Sequence, residues 1–159
     1  METTRHFTAT VYVVNDGATA LHDHDRLGIT IPPGGHVDRD ELPHEAGLRE
    51  VREETGLEPT LLGDAPDLPA PDGFALPSPR YQVCYDINVH EDGAVGHQHV
   101  DHIYFARVPS RRIDPADGEP GPAVWDWYDR TDLRRADHLD DDTVQIALEA
   151  IEAAERVDG

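Results

Sequence analysis

The chain has 159 residues, long enough for one domain with a buried core. Its 33 acidic residues against 13 basic ones give a formal net charge of -20, and every basic residue is arginine. That balance argues against a double-stranded nucleic-acid partner, which needs clustered Lys and Arg; Arg111-Arg112 and Arg134-Arg135 are only short pairs.

In chain order the pattern predicts a mixed α and β domain over 1–159 with no internal repeat or linker. Phe7 to Asn15 alternates and is rich in Val, Thr and Tyr, so it reads as a strand. Asn15-Asp16-Gly17 marks a turn, and Ala18 to His24 reads as the partner strand. A strand-like segment follows at Ile29-Thr30-Ile31, before Pro32-Pro33-Gly34-Gly35. Pro43 to Thr55 is a helix, with Pro43 suited to its first turn and Gly56 to its end. Leu48, Val51 and Thr55 share the face expected to pack on a sheet.

Asp64 to Pro79 is rich in Pro, Asp and Gly and reads as a loop. Two strands are predicted at Arg80 to His90 and Gln98 to Val108, with a turn near Asp92-Gly93 between them. Asp114 to Pro122 is a second Pro/Gly-rich loop, and Val124 to Tyr128 an aromatic strand. Thr131-Asp132 starts a short helical turn, and Asp142 to Arg156 forms an amphipathic helix. Cys84 has no internal disulfide partner, and its place in an alternating run predicts a buried thiol.

No apolar run is long enough to span a bilayer, and METTRHFTAT has no hydrophobic signal region, so the expected location is cytoplasmic. High net charge also favours disorder. The clear strand and helix periodicities favour a second explanation, a folded protein from a high-salt cytoplasm. Molar salt shortens the Debye length to about 3 Å, so surface carboxylates barely repel.

Glu50, Glu53 and Glu54 fall at i, i+3 and i+4, on one helix face. Three such carboxylates repel one another unless a cation lies between them. Hard divalent ions such as Mg2+ take oxygen ligands of this kind and keep waters for a phosphate substrate. On its own, an acidic cluster of this spacing is most often a solvated helix face.

The wider context changes that reading. Gly35, Glu41, Arg49, Glu50, Val51, Glu53, Glu54, Gly56 and Leu57 match every specified position of the Nudix box. The box is G, five residues, E, seven residues, then R-E-aliphatic-x-E-E-x-G-aliphatic. The chain therefore resembles the Nudix hydrolases (MutT-like). The resemblance implies an α+β fold, an α/β/α sandwich with a mixed central sheet and a catalytic loop-helix-loop. It implies that Glu53, Glu54 and the backbone carbonyl of Gly35 bind Mg2+ or Mn2+. Glu50 would bind metal or help activate water, Arg49 would hold the glutamates by ion pairing, and Glu41 would support the helix and the outer shell. The implied reaction is hydrolysis of a nucleoside diphosphate linked to another group, such as an ADP-ribose-like compound or a nucleoside triphosphate, possibly oxidised. A nucleotide-sensing module without turnover, or a prenyl-diphosphate isomerase using Cys84, are the alternatives on the same fold. The expected protein is a monomer or homodimer acting on a small nucleotide.

Outside the box, histidines are concentrated in His22-x-His24, His36 and His97-x-His99-x-Asp101 with His102. On a strand His97, His99 and Asp101 share one face, with His102 opposite. Substrate contact, plain surface or core roles, and a second metal site are all open for them. An extra acid from outside the box is common in the family; Glu119 is one candidate, with Glu91, Asp92 and Asp101 as others. Trp125 and Trp127 share a strand face, with Tyr128 opposite, and core packing is their expected role. Pro69 and Pro71 lie where ADP-ribose-cleaving relatives carry a proline, but the stretch is too proline-rich for the match to discriminate.

Overall fold

The computed structural model describes residues 2–158. Its strands are β1 (Thr4–Asn15), β2 (Ala18–His24), β3 (Ile29–Ile31), β4 (Gly34–His36), β5 (Thr60–Leu61), β6 (Tyr81–Val89), β7 (Val95–Arg107) and β8 (Trp125–Asp129). The helices are α1 (Pro43–Thr55), α2 (Arg130–Arg135) and α3 (Asp141–Asp158). The strands join one mixed sheet. β1 runs parallel to β7 and antiparallel to β2 and β4, while β6 adds to β7 and β8 to β2.

Strand alternation divides the core into two layers, one on each sheet face. On one face Tyr12, Val14, Leu21, Ile103 and Phe105 pack against Ile146, Ala147, Ala150 and Ile151 of α3. On the other Ala9, Val11, Val13, Tyr104 and Ala106 pack against Ala46 and Val51 of α1. The sheet is thus sandwiched between helices, the α+β arrangement expected above. Full burial of Val51 alone contributes about 1.5–3 kcal/mol relative to an exposed side chain.

The face of α1 that meets the sheet differs slightly from the expected one. Ala46, Gly47, Val51 and Thr55 are buried, whereas Leu48 is only half-buried. Small residues at 46 and 47 let the helix approach β1 closely. Cys84 departs from expectation more clearly: its thiol is exposed. Val83 and Tyr81 of β6 turn toward the α3 layer, so the alternating Cys84 turns to the outer face. Trp125 is buried and Trp127 packs beside it in the α1 layer, while Tyr128 joins the α3 layer.

The loops predicted at 64–79 and 114–122 contain no strand or helix, apart from a short 3-10 turn beginning at Pro122. Among the described residues, no helix is long and apolar enough to cross a membrane.

Candidate active site

The site grows from the start and the end of α1. Pro43 occupies the first turn, and the Glu45 carboxylate accepts from the Leu42 backbone N–H at 2.9 Å, capping the helix. At the other end Gly56 adopts φ 72° and donates its N–H to Arg52 O at 2.9 Å. A side chain there would strain the backbone and run into Asp114 O. That contact belongs to a docked loop: Asp114 N–H donates to Thr55 O and Ala116 N–H to Glu53 O, each at 2.8 Å. The end of α1 thereby holds the 114–119 segment in place.

Arg49 organises the carboxylates. Its guanidinium donates to Glu41 through Nε (2.7 Å) and Nη2 (2.9 Å), to Glu50 through Nη1 (3.0 Å) and to Glu53 through Nη1 (3.2 Å). Nη2 also donates to His36 O at 3.1 Å, tying β4 to the helix. The bidentate pair holds the Glu41 carboxyl below the usual carboxylate range, and the same contact raises Arg49 above its usual value.

Glu50 and Glu54 are the enclosed members of the cluster, their side chains 15% and 13% exposed against 42% for Glu53. Glu54 Oε2 is buried and accepts no hydrogen bond; the nearest cationic candidate, His22 Nε2, is 3.6 Å away. Burial, then the adjacent Glu50 carboxylate, pushes Glu54 up to about 9. His22 offers it no positive charge, because burial pushes that ring down to about 4. The His22 ring instead stacks on Trp125, centroids 4.4 Å apart.

Gly35 completes the cluster by being small. A Cβ on it would run into Glu50 Oε1, so the backbone of β4 and the Glu50 carboxylate lie in direct contact only because residue 35 is glycine. A buried carboxylate oxygen without a donor, beside a second carboxylate and against open backbone, is an arrangement that a hard cation would satisfy.

Glu54 and Gly35 open onto a cavity of about 490 Å³, in the range of small-molecule sites, with Arg49, Glu50 and Glu53 behind them and outside its lining. Glu54, Gly35, His22, His24, His36, His99, Asp101 and Glu119 all border it. Glu119 arrives on the docked loop, and its carboxyl is raised by burial, then by Glu50 and Glu53. Asp101 is buried in the floor and accepts from Thr8 Oγ1 at 2.9 Å and from Thr10 Oγ1 at 2.8 Å. Burial raises it despite those donors. His102 turns to the opposite face, its Nδ1 3.0 Å from Thr8 O. His97 does not border the cavity; its Nδ1 lies 2.8 Å from Thr4 Oγ1. Glu91 and Asp92 do not border it either, nor does Cys84.

A sequence model described as NUDIX domain matches residues 4–148. The chain belongs to the Nudix family. Among solved structures it is similar to a Nudix-family hydrolase from Clostridium perfringens, with 29% identity and a TM-score of 0.79, covering 95% of this chain and 99% of that one. A MutT Nudix hydrolase from Burkholderia pseudomallei shares 24% identity at a TM-score of 0.57, covering 92% and 98%. The bifunctional NMN adenylyltransferase/ADP ribose pyrophosphatase of Francisella tularensis, complexed with AMP and a Mn ion, shares 20% identity at a TM-score of 0.60. That match covers 95% of this chain and 42% of the other. No curated protein matches the chain. These findings make the protein a Nudix hydrolase, an enzyme acting on diphosphate (acid anhydride) bonds.

Two features of this Nudix site escaped sequence reasoning. His6 lies beside His36 and His99 because β1 and β7 pair in parallel, which no local pattern announces. The stacking of His22 on Trp125 follows from β2 pairing with β8, more than a hundred residues apart in sequence. The His22-x-His24 spacing was the only local signal for it.

Proposed function

We propose that this Nudix enzyme is a divalent-metal-dependent pyrophosphohydrolase. Its substrate is a nucleoside diphosphate linked to another moiety, either an ADP-ribose-like compound or a nucleoside triphosphate, possibly oxidised. The observation that carries the reading is Glu54, a buried carboxylate with one oxygen lacking any donor, packed against Glu50. Mg2+ or Mn2+ held by Glu50, Glu53, Glu54 and the Gly35 carbonyl would neutralise the diphosphate and lower the pKa of a bound water.

The chain's own residues divide the remaining work. Arg49 fixes Glu50 and Glu53 in position and leans on Glu41 as its anchor. Glu50 or Glu119, both beside Glu54, would take the proton of the attacking water. A raised carboxyl such as that of Glu119 is better matched to this task near neutral pH than an ordinary one. Leu27, Ile29 and Ile87 are exposed apolar side chains bordering the cavity, suited to the base or to the linked moiety. His99 and Asp101 are placed to contact polar parts of the substrate. Relatives bear on substrate class only by likeness: one solved neighbour is an ADP ribose pyrophosphatase and another a UDP-X diphosphatase, each at 20% identity or less.

Cys84, the nucleophile that the isomerase alternative needs, is exposed on the outer face of β6, which disfavours that reading. We further propose that the enzyme works as a single domain, monomeric or homodimeric, in a high-salt cytoplasm. The test is a hydrolysis screen in KCl with Mg2+ and Mn2+, wild type beside Glu53→Gln. ADP-ribose, nucleoside triphosphates with their oxidised forms, dinucleoside polyphosphates and NADH form the panel. Cleavage abolished in the variant identifies the substrate class. Equal cleavage by both proteins would remove Glu53 from the machinery.

A further inference from the structure

Four imidazoles gather on the β1–β4–β7 surface beyond the carboxylates. The pairing of three strands brings them together. His6 lies opposite His99 in the parallel β1–β7 register, His97 opposite Thr4 in the same ladder, and His36 on β4 opposite Thr8. All therefore occupy one face. Ring centroids are 5.2 Å apart for His6–His36 and for His36–His99, 4.6 Å for His6–His97 and 5.1 Å for His97–His99.

We propose that His6, His36 and His99 form a second metal site, for a borderline transition-metal ion with Zn2+ foremost, separate from the carboxylate site on α1. Each of the three offers a ring nitrogen, and those nitrogens all lie within 4.8 Å of one another. Nitrogen ligands about 2.0–2.1 Å from a tetrahedral Zn2+ stand about 3.4 Å apart, so closure needs shifts of about 1.4 Å or less between pairs. Side-chain rotation supplies that, since His6 and His36 are exposed.

The donor chemistry separates the two sites. Glutamates and a backbone carbonyl suit hard ions such as Mg2+, whereas three neutral imidazoles select Zn2+, Ni2+ or Cu2+. Outer contacts already orient the cluster. The Thr4 hydroxyl lies 2.8 Å from Nδ1 of the neighbouring His97 and 3.2 Å from Gly96 O, which fixes the ring beside the cluster. Arg49 Nη2 holds the His36 carbonyl, which links the cluster to the carboxylate network. His36 and His99 also border the main cavity, so an ion there would sit beside bound substrate.

Zn2+ binding to tag-free protein tests this, measured by competition with a chromogenic chelator in excess Mg2+. Wild type is compared with the double variant His6→Ala/His99→Ala, with His36→Gln and with Glu53→Gln, each verified as folded by circular dichroism. Loss of an outer-shell partner alone costs 10–100-fold in affinity, so the double variant should bind Zn2+ about 100-fold more weakly or worse. His36→Gln should weaken binding too, while Glu53→Gln should leave it unchanged. Co2+ in place of Zn2+ should give visible absorption bands that vanish in the double variant. Unchanged Zn2+ affinity in the histidine variants, or loss confined to Glu53→Gln, would overturn the site. Failure of the hydrolysis screen would leave this binding result intact, so the two readings fail separately.

Discussion

Arg49 grips Glu41 through two parallel hydrogen bonds, Nε to Oε2 at 2.7 Å and Nη2 to Oε1 at 2.9 Å. The fork needs a planar guanidinium, because an ammonium cannot make both bonds and still reach Glu50 and Glu53. Arg49→Lys should therefore keep the charge but loosen the cluster. We expect divalent-metal affinity to fall about 10–100-fold, with a smaller loss of Tm. Calorimetric Mn2+ titration of the variant checks this; wild-type affinity would reduce Arg49 to a point charge.

Gly35→Ala places a methyl group where the Glu50 carboxylate now rests. The carboxylate must swing away, because β4 is pinned to β1 by its ladder and cannot retreat. Activity should drop about tenfold or more while the far-ultraviolet spectrum stays native. A fully active alanine variant would mean that Glu50 has room to adapt.

Metal-free protein should lose stability as pH rises. Glu54 is raised to about 9 in the folded state from 4.5 in the unfolded one. Between those values the folded chain binds the proton that the unfolded chain has released. The contribution is therefore full below about 4.5 and lost as pH climbs toward 9. With chelator present, Tm should be lower at about pH 9 than at about pH 6, both of which fall within this window. Mg2+ should reverse the fall by binding the folded state alone. Glu54→Gln should flatten the slope; an unaltered slope would assign the pH dependence to other groups.

Salt should stabilise the fold. A formal charge of -20 makes the folded surface repel itself, and ions screen that repulsion. Tm should rise steadily between about 0.1 M and about 2 M KCl, over which the Debye length shrinks from about 10 Å to below about 3 Å. A flat melting curve across that series would argue against adaptation to high salt.

Cys84→Ser should retain full hydrolysis, since the thiol is exposed on the outer face of β6 and away from the cavity. Steady-state rates on the substrate found by the screen decide it. A loss of turnover would place this strand's outer face in the reaction.

Much of this protein is written locally. The α1 boundaries, Pro43 to Thr55, follow from a proline in the first turn and a glycine at the end, and β2 follows from alternation bounded by turns. The three glutamates share a face because a helix has a fixed period. What local periodicity does not hold is the pairing of distant strands. The expectation of a buried Cys84 failed because alternation does not say which face of β6 is covered, and only the position of α3 decided that Val83 turns inward and the thiol outward. The parallel β1–β7 ladder set His6 beside His99, more than ninety residues away. Docking of the 114–119 loop on the end of α1 brought Glu119 to the glutamates. Chain order specifies helix faces and turn chemistry through nearest-neighbour geometry. Juxtaposition across the sheet depends on burying both faces at once, a property of the whole fold.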